Sequence, residues 1–403
     1  MKKLFLLIVA LLGVILFSCQ KEDVPTIEDQ ESDLVTYTTR VIPGKYIVRF
    51  NETAMLKSAS KDGVISPDAV LKMAVALFND LDMPARTPDF VYSSAIQGIA
   101  VSLTDKEAAQ MVHALGVKSV EPDMEITLNL PHAYAKPTKP APTPVAQTTP
   151  WGITRIGGST TYTGTNKAWV IDTGIDMDHP DLNPGAMSLG KSFVTRVTSP
   201  DDDNGHGTHC AGIIGARSNT IGVVGVAPNA LLVPIKVLDR RGSGTTSGVI
   251  AGVDYVAANA ASGDVANMSL GGGVSDALDA AVLNLASLDG KVVKVALAAG
   301  NESDDANNHS PARVEGDNIY TVSAMDVNDK FAYFSNYGNP PIDYCAPGVS
   351  IYSTYKGGAY TTMSGTSMAA PHVCGLLLLT GDFTDSGEVL NDPDGNPDPI
   401  AYK

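Results

Sequence analysis

Three short motifs in the 403-residue chain contain the residue types of a nucleophile, a general base and a group that orients the base. Ser367 stands in the run GTSMAAPH, where an apolar stretch predicts a buried helix. A serine hydroxyl is a weak nucleophile until a base takes its proton. At a helix N-terminus it lies among unpaired backbone N–H groups that can hold a developing oxyanion. The same run would also suit an ordinary N-cap serine.

The two other motifs supply an aspartate and a histidine. Asp172 ends the apolar strand 169–171, at the edge of an α/β sheet where sites form, and a carboxylate there can orient a histidine. His206 lies between two glycines, which allow close approach by other backbone. The alternatives are an ordinary turn aspartate and a metal pair formed by His206 and His209, although no His-Glu-x-x-His pattern is present.

The three blocks VIDTGID, HGTHCAG and GTSMAAPH resemble the signature blocks of subtilisin-like serine proteases, which have the same order of Asp, His and Ser. The resemblance extends over about residues 146–382 and implies an endopeptidase that forms an acyl-enzyme on Ser367. His206 is then the general base and acid, and Asp172 orients it.

The resemblance also implies an oxyanion-hole donor and a substrate groove. Asn301 follows the apolar strand 292–299 and matches the family's oxyanion-hole asparagine. An extended substrate gains main-chain hydrogen bonds along such strand edges. The implied substrate-binding residues are Ser269, Leu270, Gly271, Gly242, Gly244, Ala298, Ala299 and Gly300.

A structural calcium site is a further implication of the resemblance, and no cofactor is expected for catalysis. Oxygen ligands alone suit Ca²⁺. The implied ligands are the side chains of Gln147, Asp181 and Asn219 and the backbone carbonyl groups of Arg217, Ile221 and Val223.

The N-terminus has the pattern of an export signal. Two lysines precede the apolar run 4–17, which is too short for a typical transmembrane helix. Its end, LFSC, resembles a bacterial lipobox, which implies removal of the signal peptide 1–18 and a lipid on Cys19. The acidic segment QKED resembles the signal that sends some lipoproteins to the outer surface. We therefore expect an outer-membrane lipoprotein precursor; a plain signal peptide is the alternative.

Residues 41–128 contain no catalytic motif and predict a small ferredoxin-like α+β domain, because two strand-helix-strand units follow one another. The domain resembles the inhibitory propeptide of subtilisin-like proteases and implies a zymogen; an unrelated accessory domain is the alternative. A tether (19–40) precedes it and a proline-rich linker (129–145) follows, extended and easily cut. We expect maturation near Val145–Ala146, which would release the catalytic domain from the lipid unless the propeptide stays bound.

Residues 146–382 alternate between apolar strands and helical segments, which predicts an α/β domain with a parallel sheet and helices on both faces. All candidate catalytic groups then fall at one edge of that sheet. The tail 383–403 is rich in Asp, Gly and Pro. Its acidic run lacks the spacing of an EF-hand loop, so disorder or a surface turn is predicted.

The net charge limits the possible binding partners, and the cysteine count limits the possible disulfide bridges. The net charge of −16 argues against nucleic acid. We expect a monomer whose partners are protein or peptide substrates and its own propeptide, with membrane contact only through the lipidated Cys19. Three cysteines remain besides that one, so at least one thiol is free, and Cys345 with Cys374 is the bridge we expect.

Two other functions are compatible with parts of the sequence. A catalytically silent binding protein with the same fold is disfavoured, because Asp172, His206, Ser367 and Asn301 are all present. A serine esterase of the α/β-hydrolase type is disfavoured because the serine lies in GTSMA and not in a G-x-S-x-G motif.

Overall fold

The computed structural model describes residues 33–51, 65–131, 146–288 and 290–403. The signal segment, Cys19 and residues 132–145 of the linker lie outside the described residues. Within the described ranges a small α+β unit precedes a larger α/β unit, and the two pack together. No helix in these ranges is both long enough and apolar enough to cross a bilayer.

The α+β unit is an antiparallel sheet covered on one face by two helices. Its strands lie in the order β2-β3-β1-β4. Side chains alternate along each strand, so Val48 and Ile99 pack under the helices while Ile47 and Ala100 join the core of the α/β unit. The elements are β1 (Thr36–Phe50), α1 (Pro67–Asp80), β2 (Phe90–Tyr92), β3 (Gly98–Ser102), α2 (Asp105–Met111) and β4 (Val117–Asn129).

Helix α2 begins where the sequence places a capping box. The Thr104 side chain accepts the backbone N–H of Glu107, and the Glu107 carboxylate accepts the backbone N–H of Thr104. Two of the helix's unpaired donors are satisfied in this way, which fixes its first turn.

The α/β unit is built on a nine-stranded sheet in the order β15-β16-β12-β11-β10-β9-β5-β7-β6. All its neighbouring strands are parallel except β15 and β16. The strands are β5 (Lys167–Asp172), β6 (Lys191–Ser192), β7 (Leu231–Lys236), β9 (Val265–Met268), β10 (Lys294–Ala298), β11 (Ile319–Met325), β12 (Ile342–Pro347), β15 (Thr384–Glu388) and β16 (Pro399–Tyr402).

Helices and short strands complete the α/β unit. Helix α4 packs on α7, and α5 packs on α6. Helix α7 is buried on all sides over most of its length, as expected for a helix that is apolar all round. The elements are α3 (Trp151–Arg155), α4 (His206–Gly215), β8 (Ser243–Thr245), α5 (Thr246–Asn259), α6 (Asp276–Ala286), β13 (Ile351–Tyr355), β14 (Ala359–Met363) and α7 (Thr366–Thr380).

Strand β1 starts five residues earlier than the predicted strand 41–50. Residues 36–40, predicted as part of the tether, pair instead with β4, from Thr36 opposite Asn129 to Arg40 opposite Glu125. The segment TYTTR has no apolar alternation that would predict a strand, so the pairing depends on a partner about 90 residues away in the sequence.

The acidic run 392–398 forms the predicted surface turn, with residues 393–397 exposed, but the two strands on either side of it were not predicted. Strands β15 and β16 form a hairpin, and Ile400 pairs with Cys345 of β12. Asp398 is buried and accepts hydrogen bonds from Ser323 and from Asn339, the latter at 2.8 Å. The tail therefore extends the main sheet, because burial against β12 outweighs the weak strand propensity of an Asp- and Pro-rich segment.

The predicted bridge between Cys345 and Cys374 is wrong. Both thiols are free and buried, as is that of Cys210. Cys345 packs in a small cluster with Val389 and Ile400, whereas Cys374 lies in the main core. Burial raises the pKa of both thiols well above the ordinary value.

Two histidines are buried as neutral rings. Nε2 of His209 lies 3.1 Å from the carbonyl oxygen of Ile351, which turns this ring towards the β13–β14 hairpin. Nδ1 of His372 donates to the carbonyl oxygen of Met368 at 2.8 Å. Burial lowers the pKa of His209 to about 3 and that of His372 to about 4.

The buried His372 predicts acid sensitivity. The unfolded chain takes up a proton near pH 6.5 while the folded ring stays neutral to about pH 4, so stability falls as the pH drops through this window. At about pH 5 the loss is about 2 kcal/mol. We expect His372→Gln, in an inactive Ser367→Ala background, to show a smaller fall in Tm between about pH 7.5 and pH 5 than its parent.

The matched control is His113→Gln, because His113 is exposed and the parent's pH dependence should persist in this variant. Parallel Tm curves for the parent and His372→Gln would contradict the assignment.

Candidate active site

Asp172 ends β5 and His206 begins α4, which brings a carboxylate and an imidazole together at the carboxyl edge of the sheet. Nδ1 of His206 lies 2.8 Å from Oδ1 and 2.9 Å from Oδ2 of Asp172, and neither residue is exposed. Because Nδ1–H donates to the carboxylate, the lone pair of the neutral ring lies on Nε2. The pair therefore provides an oriented base.

The charge balance at His206 favours proton uptake. Burial is the largest single effect and disfavours the imidazolium, but the charge and hydrogen bond of Asp172, together with Cys210, outweigh it and raise the pKa of His206 well above the ordinary value. The ring can thus take a proton from a neighbouring hydroxyl and hold it as a stabilised cation.

The loop before His206 is held by one buried carboxylate that the motifs do not identify. Asp202 Oδ1 accepts the backbone N–H groups of Asn204 and Gly205, each at 2.9 Å. Its Oδ2 accepts both the backbone N–H and the hydroxyl of Thr208. Gly205 has φ +117°, and a Cβ there would lie 2.1 Å from a ring carbon of Tyr355, so only glycine fits.

Lys236 is a second residue without a sequence signal, because it reads as an interruption of an apolar strand. It is fully buried opposite Asp172 at the end of β7. Its ammonium group donates to the carbonyl oxygen of Thr173 and, at 2.7 Å, to Asp203. This links the residue after Asp172 to the loop that precedes His206.

Ser367 is the second residue of α7, as its motif predicts. Its carbonyl oxygen accepts the Ser269 hydroxyl at 2.8 Å and lies 3.3 Å from Cys210 Sγ, which is itself 4.0 Å from His206 Nδ1. The Ser367 hydroxyl contacts the hydroxyl of Tyr37 and lies 3.3 Å from the carbonyl oxygen of Ser269.

Asn301 follows β10, with its side-chain amide oriented by the start of α7. Its Oδ1 accepts the backbone N–H and the hydroxyl of Thr366 at 2.8 and 2.9 Å. This leaves Nδ2 as the donor, and it donates to the carbonyl oxygen of Val35 at 3.0 Å. A neutral donor held in this way beside Ser367 could stabilise a developing oxyanion.

The predicted groove residues lie along strand ends and the edge strand β8. Gly244 pairs with Ile126 of β4, and the Gly242 carbonyl accepts the Leu128 N–H at 2.9 Å, so β4 already lies there as an extended peptide. The remaining members of the set follow β9 (Ser269, Leu270 and Gly271) or end β10 and precede Asn301 (Ala298, Ala299 and Gly300).

Three carboxylates, two buried and one half-buried, attach the α+β unit to helices α5 and α6, and no motif predicts them. Asp123 accepts the N–H of Ser247 at 3.0 Å and Glu121 that of Ala277 at 3.2 Å, where negative charge suits the positive ends of the helices. Conversely, Asp254 of α5 accepts backbone N–H groups of the loop 93–95. The α+β unit is thereby fixed across the groove.

The predicted calcium ligands also lie together. Nε2 of Gln147 is 2.7 Å from the carbonyl oxygen of Arg217, 3.2 Å from that of Val223 and 3.5 Å from Asn219 Oδ1. Asn219 Nδ2 donates to the buried Asp181 at 2.7 Å, and the N–H of Ile221 donates to Asn219 Oδ1 at 2.7 Å. Several oxygen atoms thus converge on one side-chain amide.

One cluster of metal-ligating side chains occurs within the described ranges, and it belongs to the site above. Asp172, His206 and Cys210 place one ligand atom each within 4.8 Å of one another. Nδ1 of His206 is already committed to Asp172, and His209 faces the β13–β14 hairpin, which disfavours a metal pair of the two histidines.

Family models match both units of the chain. The model of the subtilase family matches residues 169–388, and the model of peptidase inhibitor I9 matches residues 45–129. More than half of the chain is therefore matched by the subtilase model alone.

Individual serine proteinases are similar in sequence to this chain over nearly its whole length. An extracellular serine proteinase of Thermus sp. is 38% identical over 92% of this chain and 88% of its own length. Proteinase R of Parengyodontium album is 35% identical over 93% and 90%. A crystal structure of a cold-adapted subtilisin-like serine proteinase shares 41% identity, with a TM-score of 0.55 over 62% of this chain and 97% of that one. The chain therefore belongs to the subtilase family: it is a subtilisin-type serine protease with an I9 propeptide, made as a zymogen.

Proposed function

We propose that Ser367, His206 and Asp172 are the catalytic triad of this endopeptidase and that Asn301 supplies an oxyanion-hole donor. The observation that carries the proposal is the buried bond between His206 and Asp172 beside the N-terminus of the helix that carries Ser367. The serine hydroxyl would attack the carbonyl carbon of a peptide bond while His206 Nε2 takes its proton. The Asn301 amide would donate to the oxygen as it becomes negative.

The second half of the cycle uses the same groups. His206 returns the proton to the leaving amine, so that the C–N bond breaks and an acyl-enzyme remains on Ser367. A water molecule then gives a proton to His206 and attacks the ester carbonyl carbon. The bond between the acyl group and the serine oxygen breaks as His206 returns the proton to that oxygen, which releases the carboxylic acid product and restores Ser367. The Asp172 carboxylate orients the ring through Nδ1 and stabilises the imidazolium in both steps.

We further propose that the precursor is exported, lipidated on Cys19 and displayed on the outer membrane, and that the catalytic domain acts as a monomer released after maturation. The LFSC run and the acidic residues that follow support the anchor. Export is supported by the Thermus relative, which is named an extracellular proteinase. A precursor that starts at Cys19 and has the extra mass of a lipid would bear out the anchor; a start after a plain signal cleavage would exclude it.

We also propose a structural Ca²⁺ site at Gln147, Asp181 and Asn219 with the carbonyl oxygens of Arg217, Ile221 and Val223. The support is that the oxygen atoms of Arg217, Val223 and Asn219 surround Nε2 of Gln147. Rotation of the terminal amide by about 180° would place its oxygen where Nε2 now lies, among these other oxygen atoms. The chain's first mature residues would then be held by the ion, and binding to the folded form would raise its stability.

Replacement of the nucleophile tests the triad. We expect wild-type protein to be processed to a species that starts near Ala146, and Ser367→Ala to retain its propeptide. Intact mass spectrometry of the two products, made side by side, measures this. Identical processing of both would mean that another protease matures the chain. An intact propeptide in wild type as well would favour a silent binding protein.

Removal of the proposed oxyanion donor tests Asn301. We expect Asn301→Leu, processed in trans by wild-type enzyme, to lose about 10²- to 10³-fold in kcat with KM little changed, the range measured for such a donor in subtilisin, a relative of this chain. The loss should fall on kcat because the donor acts in the transition state. An unchanged kcat would remove Asn301 from the mechanism.

Calcium binding is tested by melting temperature in excess Ca²⁺ and in chelator. At about 100 times Kd a single site adds about 2.7 kcal/mol, which corresponds to about 5–10 °C for a domain of this size. Asn219→Ala should abolish that difference. The control Asn259→Ala, at the exposed end of α5, where the side chain bonds the carbonyl oxygen of Tyr255, should retain it. Equal melting temperatures of the wild type in both buffers would refute the site.

A further inference from the structure

A segment upstream of the I9 match occupies the active site. Residues 33–39, here called the arm, precede the I9 match, which begins at residue 45. The arm places Tyr37 against Ser367 and Val35 against Asn301. The arm therefore contacts both groups that the mechanism needs.

The Tyr37 hydroxyl engages the proposed nucleophile. It lies 2.8 Å from the carbonyl oxygen of Ser269 and contacts the Ser367 hydroxyl, which is itself 3.3 Å from the same carbonyl oxygen. Burial raises the pKa of Tyr37 well above the ordinary value, so the phenol stays protonated. The Ser367 hydroxyl is therefore hydrogen-bonded within a group formed by Tyr37 and Ser269, whichever hydroxyl donates to the other.

His206 is left without its partner as a result. Its Nε2 is buried and has no hydrogen-bond partner among the described residues, although this is the atom that must accept the serine proton. The Ser367 hydroxyl makes its contacts with Tyr37 and the Ser269 carbonyl oxygen instead, so nucleophile and base are not hydrogen-bonded to each other while the arm is in place.

The oxyanion-hole donor is occupied as well. Asn301 Nδ2 donates to the carbonyl oxygen of Val35 at 3.0 Å. The Val35 N–H donates to Ser364 O, and the Ser364 N–H donates to Asp33 O, both at 2.9 Å. The arm is thereby tied by main-chain bonds to the segment just before the nucleophile.

The arm runs against the direction of the strand that leads to the maturation site. It is antiparallel to β4, with Tyr37 opposite Leu128, and β4 is the strand that lies on β8 as an extended peptide. The Thr39 hydroxyl accepts the Gly273 N–H at 3.1 Å, so the arm lies between β4 and the segment 269–273 that follows β9. The arm therefore runs beside β4 in the opposite chain direction.

We propose that the arm is an inhibitory segment in its own right, which must leave the active site before the zymogen can cut itself. This inference rests on the proposed role of Ser367. It adds to the I9 domain a second element that acts on the catalytic groups directly, whereas the I9 domain is held by carboxylates at α5 and α6.

The test removes one hydroxyl from the full-length chain. Tyr37→Phe keeps the ring and loses the contacts with Ser367 and Ser269. We expect uncut Tyr37→Phe to self-process and to react with a fluorophosphonate probe about 3- to 10-fold faster than wild type, the effect of one or two lost hydrogen bonds. The kcat/KM of the mature enzyme, which lacks the arm, should be unchanged.

Tyr46→Phe is the matched control, because Tyr46 lies on the same strand and its hydroxyl binds Asp105 at the surface. Val35→Pro is a second variant, since it removes the N–H that binds Ser364, and it should also accelerate both reactions. If neither variant is faster than Tyr46→Phe while wild type matures and reacts, the arm proposal is overturned and the proposed triad stands. If no protein reacts, even after removal of its propeptide, both fail.

Discussion

The hydrogen bond between the buried Asp172 carboxylate and the His206 imidazole is the interaction on which the rest of the structure depends. Burial of a carboxylate costs free energy unless hydrogen-bond donors surround it, so the chain must place such donors at fixed positions. Parallel strands do this, because β5 and β7 end together and place Lys236 opposite Asp172. Asp202 accepts backbone N–H groups from both sides of His206, which holds the start of α4 where the His206 ring meets Asp172.

A site built in this way has donors that need partners before any substrate arrives. The Asn301 amide, the Ser367 hydroxyl and the edge of β8 would otherwise be open, and the precursor covers each of them with its own chain. The α+β unit divides that task. Glu121 and Asp123 hold it on the ends of α5 and α6, while Tyr37 contacts Ser367, the proposed nucleophile. Attachment and blocking therefore reside in different residues and can be changed separately.

The sequence predicts those parts of the structure whose motifs or apolar patterns lie within one short segment of the chain. The blocks around Asp172, His206 and Ser367 predict the family, the protease activity and the sheet edge where the structure brings these residues together; the family and activity are confirmed by the relatives. The arm could not be predicted, because TYTTR has no apolar face and its partners lie in β4 and in α7. The strands β15 and β16 were missed for a related reason, since β16 pairs with β12, a strand about 55 residues earlier in the sequence.

The ends of the linker give a constraint on maturation. In the uncut chain Ala146 bridges Ile221, and Gln147 lies among the proposed calcium ligands. At the other end Asn129 pairs with Thr36, next to the residue that contacts Ser367. The two ends of the linker are therefore held by different parts of the chain, the first by the arm and the second by the segment around Ile221. Loss of the arm would free only the end after β4, because the bridge from Ala146 to Ile221 does not involve the arm.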